Sequence, residues 1–576
     1  MLHQLEQIIR VARNELLGDL LIKNAKIINV YSGEVVEADV VTSGEMIAGI
    51  GKGYQAKEVI DLKGAYLAPG FIDGHVHIES SMVDVPEFAR AVVPLGTTSV
   101  IADPHEIANV LGYEGIRYML DASKFNPLNV FFMMPSCVPA TKLETSGSSL
   151  RAFEIYPLLR EKWVLGLGEV MNFVGVLQRD ENLLDKIQIS SEKRIDGHAP
   201  GLSGFDLNAY IATGIGSDHE CTAVEEAREK LRLGMHIMIR EGTFIKNLRD
   251  LLPLITPENS RRCSFCTDDR HPNDILNEGH INFMIKTAIE YGIDPITAIR
   301  MATLNTAEYF GMRQRGGIKP GNYADMVSFN NFEEFKIKHV FRSGKLVALD
   351  GEAIIEPPVR PEATIRSTMN IKWLQGDEFT IPAGGKMARV IGLIEDQALT
   401  DELVEEVTVK DGKVVSDPER DILRVYVLER HNATGNIGKG LVKGLGLQRG
   451  AIASSVAHDA HNVIVIGNSD TEIMRAVIQI NKMAGGVVVV EGDRVLAALD
   501  LPIAGLMSHL PLEEVSQRVD DLRKAARSLG CKVKDPLMAL SFMSLAVIPK
   551  LKLTDQGLVD VEKQQFVSLF TDGNGK

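Results

Sequence analysis

Between residues 67 and 315 the chain repeats one pattern: a short apolar, β-branched run, then a stretch with helical character. We read strands at 67–77, Thr98–Asp103, Asn129–Met134, Val164–Glu169, Arg194–His198, Ile211–His219, Met235–Arg240 and Ser264–Asp268. Eight strands with helices between them, in about 250 residues, predict a (β/α)8 barrel of the TIM type. In that fold the functional side chains sit where the strands end, on the C-terminal face. The strand ends are therefore where chemistry is to be sought.

The flanks have a different texture. Residues 3–17 carry Leu5, Ile8, Ile9, Val11, Ala12 and Leu16 at helical spacing, a leader helix. From 20 to 66, short strands (Leu20–Ile22, Lys26–Val30, Val35–Val41, Met46–Ile50, Glu58–Asp61) alternate with turn residues such as Gly33, Gly44, Gly51 and Gly53. The same texture returns at 316–356, so a composite β-sandwich module built from both flanks is expected to bring the barrel's two ends together. Pro357, Pro358 and Pro361 mark a linker. A C-terminal α/β domain then follows, with strands at Ala388–Ile394, Thr408–Val409, Leu423–Leu428, Val463–Gly467 and Gly486–Glu491, and helices at Thr471–Ala484 and Leu512–Ser528. The expected units are 1–66, 67–315, 316–364 and 365–576; a chain of 576 residues is too long for one core.

At the strand ends, His75-Val-His77 comes first. On a strand, residues i and i+2 face the same way, so both imidazoles aim at one point and suit zinc, iron or manganese. The fourth strand ends in Glu169, the fifth in His198, the sixth in His219 and the eighth in Asp268. His75, His77 and Asp268 can hold one divalent ion, His198 and His219 a second, and Glu169 can bridge them. Two such ions about 3.5–4 Å apart lower the pKa of bound water from about 15.7 towards roughly 7. Asp268 is placed to take the proton of that water and deliver it to a leaving group. This is metal-assisted hydrolysis, with Asp268 and Glu169 as its catalytic carboxylates. Asp269 is a rival; Asp268 is preferred because it comes first after the strand.

Other groups are candidates for substrate contact: Glu79 and Ser80 after the first strand, Asp103, His105 and Glu106 after the second, Arg240 and Glu241 after the seventh, Arg270 and His271 after the eighth. For the Asp103 segment, a helix cap is an equally good reading. His458 and His461 lack further obvious ligands, which favours a structural or lid role over a separate metal site. His77-Ile-Glu79 with Cys263-Ser-Phe-Cys266 spells the His-x-Glu…Cys-x-x-Cys of single-zinc nucleobase deaminases. No proline precedes Cys263, however, and both cysteines lie on or beside the eighth strand, so they read as packing. The Gly435–Gly446 run lacks a Gly-Lys-Ser/Thr ending and is no phosphate loop.

A net charge of −15 with no basic block argues against nucleic-acid binding. Five cysteines without a framework point to a reducing cytoplasm. The N-terminal segment has no signal-peptide pattern, and no apolar run approaches the roughly 20 residues of a membrane span.

The segment Pro69-Gly-Phe-Ile-Asp-Gly-His-Val-His77, with the later Glu, His, His and Asp, resembles the amidohydrolase superfamily. Its neighbours go further. His77-Ile-Glu-Ser-Ser-Met82, Ile101-Ala-Asp-Pro-His-Glu-Ile-Ala-Asn109, Gly168-Glu-Val-Met-Asn172, Asp196-Gly-His-Ala-Pro-Gly-Leu-Ser-Gly204 and Thr267-Asp-Asp-Arg-His271 resemble the adenine deaminase family. Arg430-His-Asn-Ala-Thr-Gly-Asn-Ile-Gly438 and Ser455-Val-Ala-His-Asp-Ala-His-Asn462 extend the likeness into the second domain. The resemblance implies hydrolysis of adenine to hypoxanthine and ammonia for purine salvage. It also implies manganese or iron as the two ions, zinc being a third option; a homodimer is expected. An amidohydrolase for a cyclic amide or a modified adenine nucleoside is the competing enzyme reading. A non-catalytic scaffold of the same fold would have lost ligands, and none is lost.

Overall fold

A computed structural model describes residues 2–354, 367–394 and 397–571. Pro357, Pro358 and Pro361, read as a linker, lie outside the described residues.

The eight barrel strands are β1 (Phe71–Val76), β2 (Thr97–Ala102), β3 (Asn129–Met134), β4 (Val164–Val170), β5 (Arg194–Gly197), β6 (Ser217–Asp218), β7 (His236–Arg240) and β8 (Cys263–Cys266). β1 to β5 form one parallel sheet and β6 to β8 another. Two seams close them into a ring. Between β5 and β6, Gly216 N donates to Ile195 O at 2.9 Å. Between β8 and β1, Asp268 N donates to His75 O at 2.9 Å and His77 N to Asp268 O at 3.2 Å. β1, β2 and β3 are buried along their whole length, so their apolar residues do not alternate with exposed ones.

Two strand readings are corrected. The 67–77 run is two strands: Tyr66–Pro69 pairs with Gly18–Asn29 and Met326–Phe329 in the flanking sheet, and only β1 belongs to the barrel. Gly70 lies between them, where a Cβ would come within 2.2 Å of Thr98 Oγ1, so only glycine lets the chain pass between the two sheets here. In the 211–219 run, Ile211 belongs to the helix Gly204–Ala212. Gly214, at φ +98°, turns the chain out of that helix and leaves just two residues of strand.

The flanks build a nine-stranded sheet with strands from both sides of the barrel. Leu20, Ile22, Ile27, Val40, Met326 and Phe341 pack in its core. The leader helix Leu2–Ala12 lays Ile8 and Val11 on Leu21 and Val41.

The C-terminal domain is a second nine-stranded sheet carrying the helices Asp470–Lys482 and Leu512–Ser528. Its strands Ile437–Lys443, Ala451–Ser454 and Arg494–Asp500 escape the sequence reading, whereas the strand read at Thr408–Val409 lies one residue later, at Val409–Lys410. This domain docks on the loops that follow the barrel strands. Ser508 N donates to Met82 O at 2.8 Å, Thr145 N to Asp555 Oδ1 at 2.8 Å, and Asn273 Nδ2 to Asp520 Oδ1 at 2.9 Å. The barrel mouth is thereby roofed.

Beneath the mouth, buried Asp73 clamps the β1–β8 seam. Its Oδ1 accepts from Thr267 N (3.1 Å) and His75 N (3.2 Å), and its Oδ2 from Thr267 Oγ1 (2.5 Å). Asp73→Ala strands these donors in a dry interior, at about 1–3 kcal/mol for each group left unpaired. The midpoint of thermal unfolding is expected to fall by several degrees; a midpoint within a degree of the unmodified protein would contradict the clamp.

Candidate metal centre

His75 and His77 leave the end of β1 on the same side, and their Nε2 atoms meet at 3.0 Å. The His77 ring is fixed from behind. Its Nδ1 lies 2.9 Å from the Asp103 carbonyl, which can only accept, so Nδ1 carries a hydrogen and Nε2 is the nitrogen left to serve as a ligand.

Glu169 stands between two pairs of imidazoles. Its Oε1 lies 3.1 Å from His77 Nε2 and 3.5 Å from His75 Nε2. Its Oε2 lies 2.5 Å from His198 Nδ1 and 3.3 Å from His219 Nε2. Asp268 Oδ1 approaches His77 Nε2 at 3.0 Å and His75 Nε2 at 3.5 Å. The structure therefore brings together all six residues read as ligands. The grouping is more interwoven than the sequence reading, since His219 also joins His75 and Asp268 in a set of ligand atoms mutually within 4.8 Å.

The donor set fits divalent ions. Lone pairs and carboxylate oxygens this close repel unless a cation or protons lie between them, and His219 Nε2 has no hydrogen-bond partner among the described residues. Nitrogen and oxygen ligands together suit zinc, iron and manganese. Burial by itself lowers His75, but Asp268 and Glu169 outweigh it and raise the ring to about 10. His77 is raised well above its ordinary value for the same reasons. Burial works to raise Glu169 and Asp268 as well. The histidines beside Glu169, and Arg240 with His75 and His77 beside Asp268, instead hold both far below the usual carboxylate range.

The surrounding residues divide by where they point. Asp103 supports the ligands: its Oδ2 accepts from Glu169 N at 3.0 Å, an approach that needs Gly168, where a Cβ would sit 1.9 Å from that oxygen. His105 lines the cavity, its Nδ1 3.5 Å from Glu169 Oε1. Arg240 donates through Nη1 to Asp268 Oδ2 (2.6 Å) and through Nη2 to Glu220 Oε2 (3.0 Å). Ser80 Oγ donates to Asp269 Oδ1 at 2.5 Å, and Asp269 lines the cavity with ligand atoms within 4.8 Å of His77 and Asp268, so it stays beside the cradle. Glu79 accepts from Ile107 N at 3.2 Å behind the cavity, and burial pushes it up to about 7. Glu106 turns to the second domain, where His458 Nδ1 lies 2.7 Å from its Oε1 and His461 Nε2 contacts its Oε2.

Glu79, Ser80 and Asp103 stand behind the lining of the cavity, and three further candidates point elsewhere. Glu241 accepts from Leu248 N at 3.1 Å. Arg270 braces Gly279 O (2.9 Å), Glu241 O (2.8 Å) and Glu278 (2.9 Å). His271 lies 3.9 Å from Asp535 of the second domain. For Arg270 and His271 the physical reason is a turn: Asp268 adopts φ +59°, and beyond Asp269, which still lines the cavity, the chain leaves the mouth. Cys263 and Cys266 are buried packing groups in β8, with burial raising both thiols, Cys263 to about 12.

Glu220 is missed by the sequence reading, although it directly follows His219. It lines the cavity with Oε1 3.6 Å from both His198 Nδ1 and His219 Nε2. The second domain completes the wall with His458, Asp459, Phe542, Leu545, Val547 and Ile548.

Residues 66–347 match the description "Amidohydrolase family", and residues 397–565 match "Adenine deaminase C-terminal domain". The chain is 52% identical to an adenine deaminase of Desulfatibacillum aliphaticivorans, over 98% of this chain and 99% of the relative. It is 50% identical to adenine deaminase 2 of Carboxydothermus hydrogenoformans (97% and 98% covered) and 49% identical to an adenine deaminase of Kosmotoga olearia (99% of each).

The raised histidines predict proton-coupled loading. A group raised to about 10 is protonated at pH 8, and an ion needs its lone pair. Adding manganese to chelator-stripped protein at pH 8 should release protons, seen as a calorimetric heat that changes with the ionisation enthalpy of the buffer. Apparent affinity should also rise with pH towards 10. Identical heats in all buffers would contradict this electrostatic picture.

Proposed function

The chain belongs to the adenine deaminase family of amidohydrolases, and on that premise we propose that it hydrolyses adenine to hypoxanthine and ammonia at the cradle around Glu169. The observation that carries the chemistry is Glu169 itself, one oxygen facing His75 and His77, the other facing His198 and His219. Near-full-length identity to adenine deaminases carries the substrate.

In this reading His75, His77, Asp268 and Glu169 would hold one divalent ion, and Glu169, His198 and His219 the other, with manganese or iron as the ions and zinc the third option. When bound, such ions supply the Lewis acidity that brings the pKa of water towards roughly 7. The chain's own residues do the rest. Arg240 grips Oδ2 of Asp268, which leaves Oδ1 facing the cradle to take a proton from the attacking water and return it to the departing amine. An amidine carbon has no carbonyl oxygen to polarise, so the ring nitrogen beside it must gain a proton as attack proceeds. His105 is the donor we assign, and it regains a proton when the hydroxyl added to the carbon gives up its hydrogen to become the carbonyl of hypoxanthine. Burial lowers its basicity, but Asp103 and Glu106 outweigh that and keep it protonated. Phe542, Leu545, Val547 and Ile548 offer apolar surface to the flat base and exclude water, so residues 365–576 serve as the cover of the barrel mouth.

The wider setting we propose is purine salvage in the cytoplasm by a homodimer that binds neither nucleic acid nor membrane. Five unpaired, buried cysteines suit a reducing compartment, and a charge of −15 disfavours nucleic acid. Among the described residues no helix is long and apolar enough to cross a membrane. Phe125, Phe153 and Phe205 expose 90%, 70% and 94% of their surface on or beside outer barrel helices, apolar area that a second copy would bury.

The test is ammonia release from adenine, adenosine and cytosine, with metal content measured on the same sample. Adenine should be the preferred substrate, chelation should abolish turnover, and manganese should restore it. Asp268→Asn should lower kcat by about 10²-fold or more. Adenine turnover by metal-free protein, or full activity in Asp268→Asn, would overturn the mechanism.

A further inference from the structure

The loop 455–462 joins the antiparallel strands Ala451–Ser454 and Val463–Gly467 of the second domain and reaches into the barrel mouth. It is pinned on both sides of Asp459. Before it, His458 Nδ1 lies 2.7 Å from Glu106 Oε1. After it, His461 Nδ1 accepts from Ala457 N at 3.3 Å, so the hydrogen of that ring sits on Nε2, against Glu106 Oε2. Asn462 Nδ2 donates to Thr145 O at 2.8 Å. Both Glu106 oxygens thus face imidazole nitrogens of the second domain. The trio is a latch between barrel and second domain, and its three side chains also offer ligand atoms mutually within 4.8 Å.

What the latch holds in place is Asp459. It is 2% exposed and lines the same cavity as Glu169, His198, Arg240 and Asp268. Its Oδ2 has no hydrogen-bond partner among the described residues. Its Oδ1 lies 3.7 Å from His458 Nδ1 and 3.9 Å from His105 Nε2, beyond hydrogen-bond reach of either. A buried carboxylate oxygen without a donor is costly, and such a group at the edge of a site waits for a donor on the ligand. Burial raises the acid to about 6, which still leaves it ionised, an acceptor, near neutral pH. The position is also informative. The His105 ring lies between Glu169 Oε1, 3.5 Å from its Nδ1, and Asp459 Oδ1, 3.9 Å from its Nε2. Asp459 therefore stands about one ring's reach from the cradle.

We propose that Asp459, supplied by the second domain and positioned by the Glu106 latch, determines specificity by accepting the N–H of the five-membered ring of the free purine base. This rests on the adenine reading above. With the reacting carbon at the cradle, that N–H is the donor on the far side of the base. A nucleoside, or a base alkylated on that ring, cannot offer it, and the carboxylate is then buried unpaired. Discrimination against such molecules follows from the same group that binds the base.

The experiment compares kcat/KM for adenine, 9-methyladenine and 7-methyladenine in the unmodified protein, Asp459→Ala and Asp459→Asn, with metal content and thermal midpoint recorded for each. The unmodified protein should reject at least one methylated base by about 10²-fold or more. Asp459→Ala should lower kcat/KM for adenine by about 10- to 100-fold, the loss expected for a hydrogen bond to a charged group, and shrink that discrimination at least tenfold with metal content unchanged. Asp459→Asn, which keeps the size and one acceptor oxygen, should fall between. Unchanged discrimination in the two variants, or no rejection of either methylated base by the unmodified protein, would overturn the inference. No ammonia from adenine with the unmodified protein would instead overturn the reading on which it rests, so the two failures are distinguishable.

Discussion

The seam between β1 and β8 is the constraint on which the rest depends. His75 and His77 come from one side of it and Asp268 from the other, and the backbone bonds that close the barrel run through these same residues. Closing the ring and assembling half the ligand set are therefore one event. Asp73 enforces the register from below, where its carboxylate ties Thr267 to the strand that carries the histidines. A one-residue slip at this seam would turn the imidazoles to the opposite face of β1.

From that seam support passes outward in layers. Asp103 bonds His77 through its carbonyl and Glu169 through its carboxylate, so one residue at the end of β2 aligns ligands from β1 and β4. Arg240 sits between Asp268 and Glu220, a buried cation among carboxylates that limits the charge the site must tolerate. Glu106 carries the support to the second domain, whose loop and apolar residues shut the mouth. The barrel alone would leave the cradle open to water. The two domains together line the cavity around the cradle.

The barrel was legible in the sequence because strands buried on both faces are rich in apolar and β-branched residues, and their ends stand out where His, Glu or Asp follows. Misreadings arose where that contrast fails. Pro69-Gly70 interrupts a continuous apolar run without changing its composition, so two strands from two sheets look like one. Ile211 and Ala212 are as apolar as a strand, yet belong to a helix. Nearness in sequence to a ligand also says little about direction. Glu220 follows His219 and turns into the cavity, whereas Arg270 and His271 follow Asp268 and turn out of it after a left-handed residue. Glu106, His458 and His461 could not be joined from sequence, because their contact exists only after the second domain docks on the barrel.

The central claim is that Glu169 is shared by two ions at the closed mouth. Crystals of the manganese-loaded protein, measured at the manganese absorption edge, test it most directly. The account predicts two anomalous peaks, one on each side of the Glu169 carboxylate, the first among His75, His77 and Asp268 and the second between His198 and His219, with none at Glu106. A single peak, or a principal peak between Glu106, His458 and His461, would contradict it.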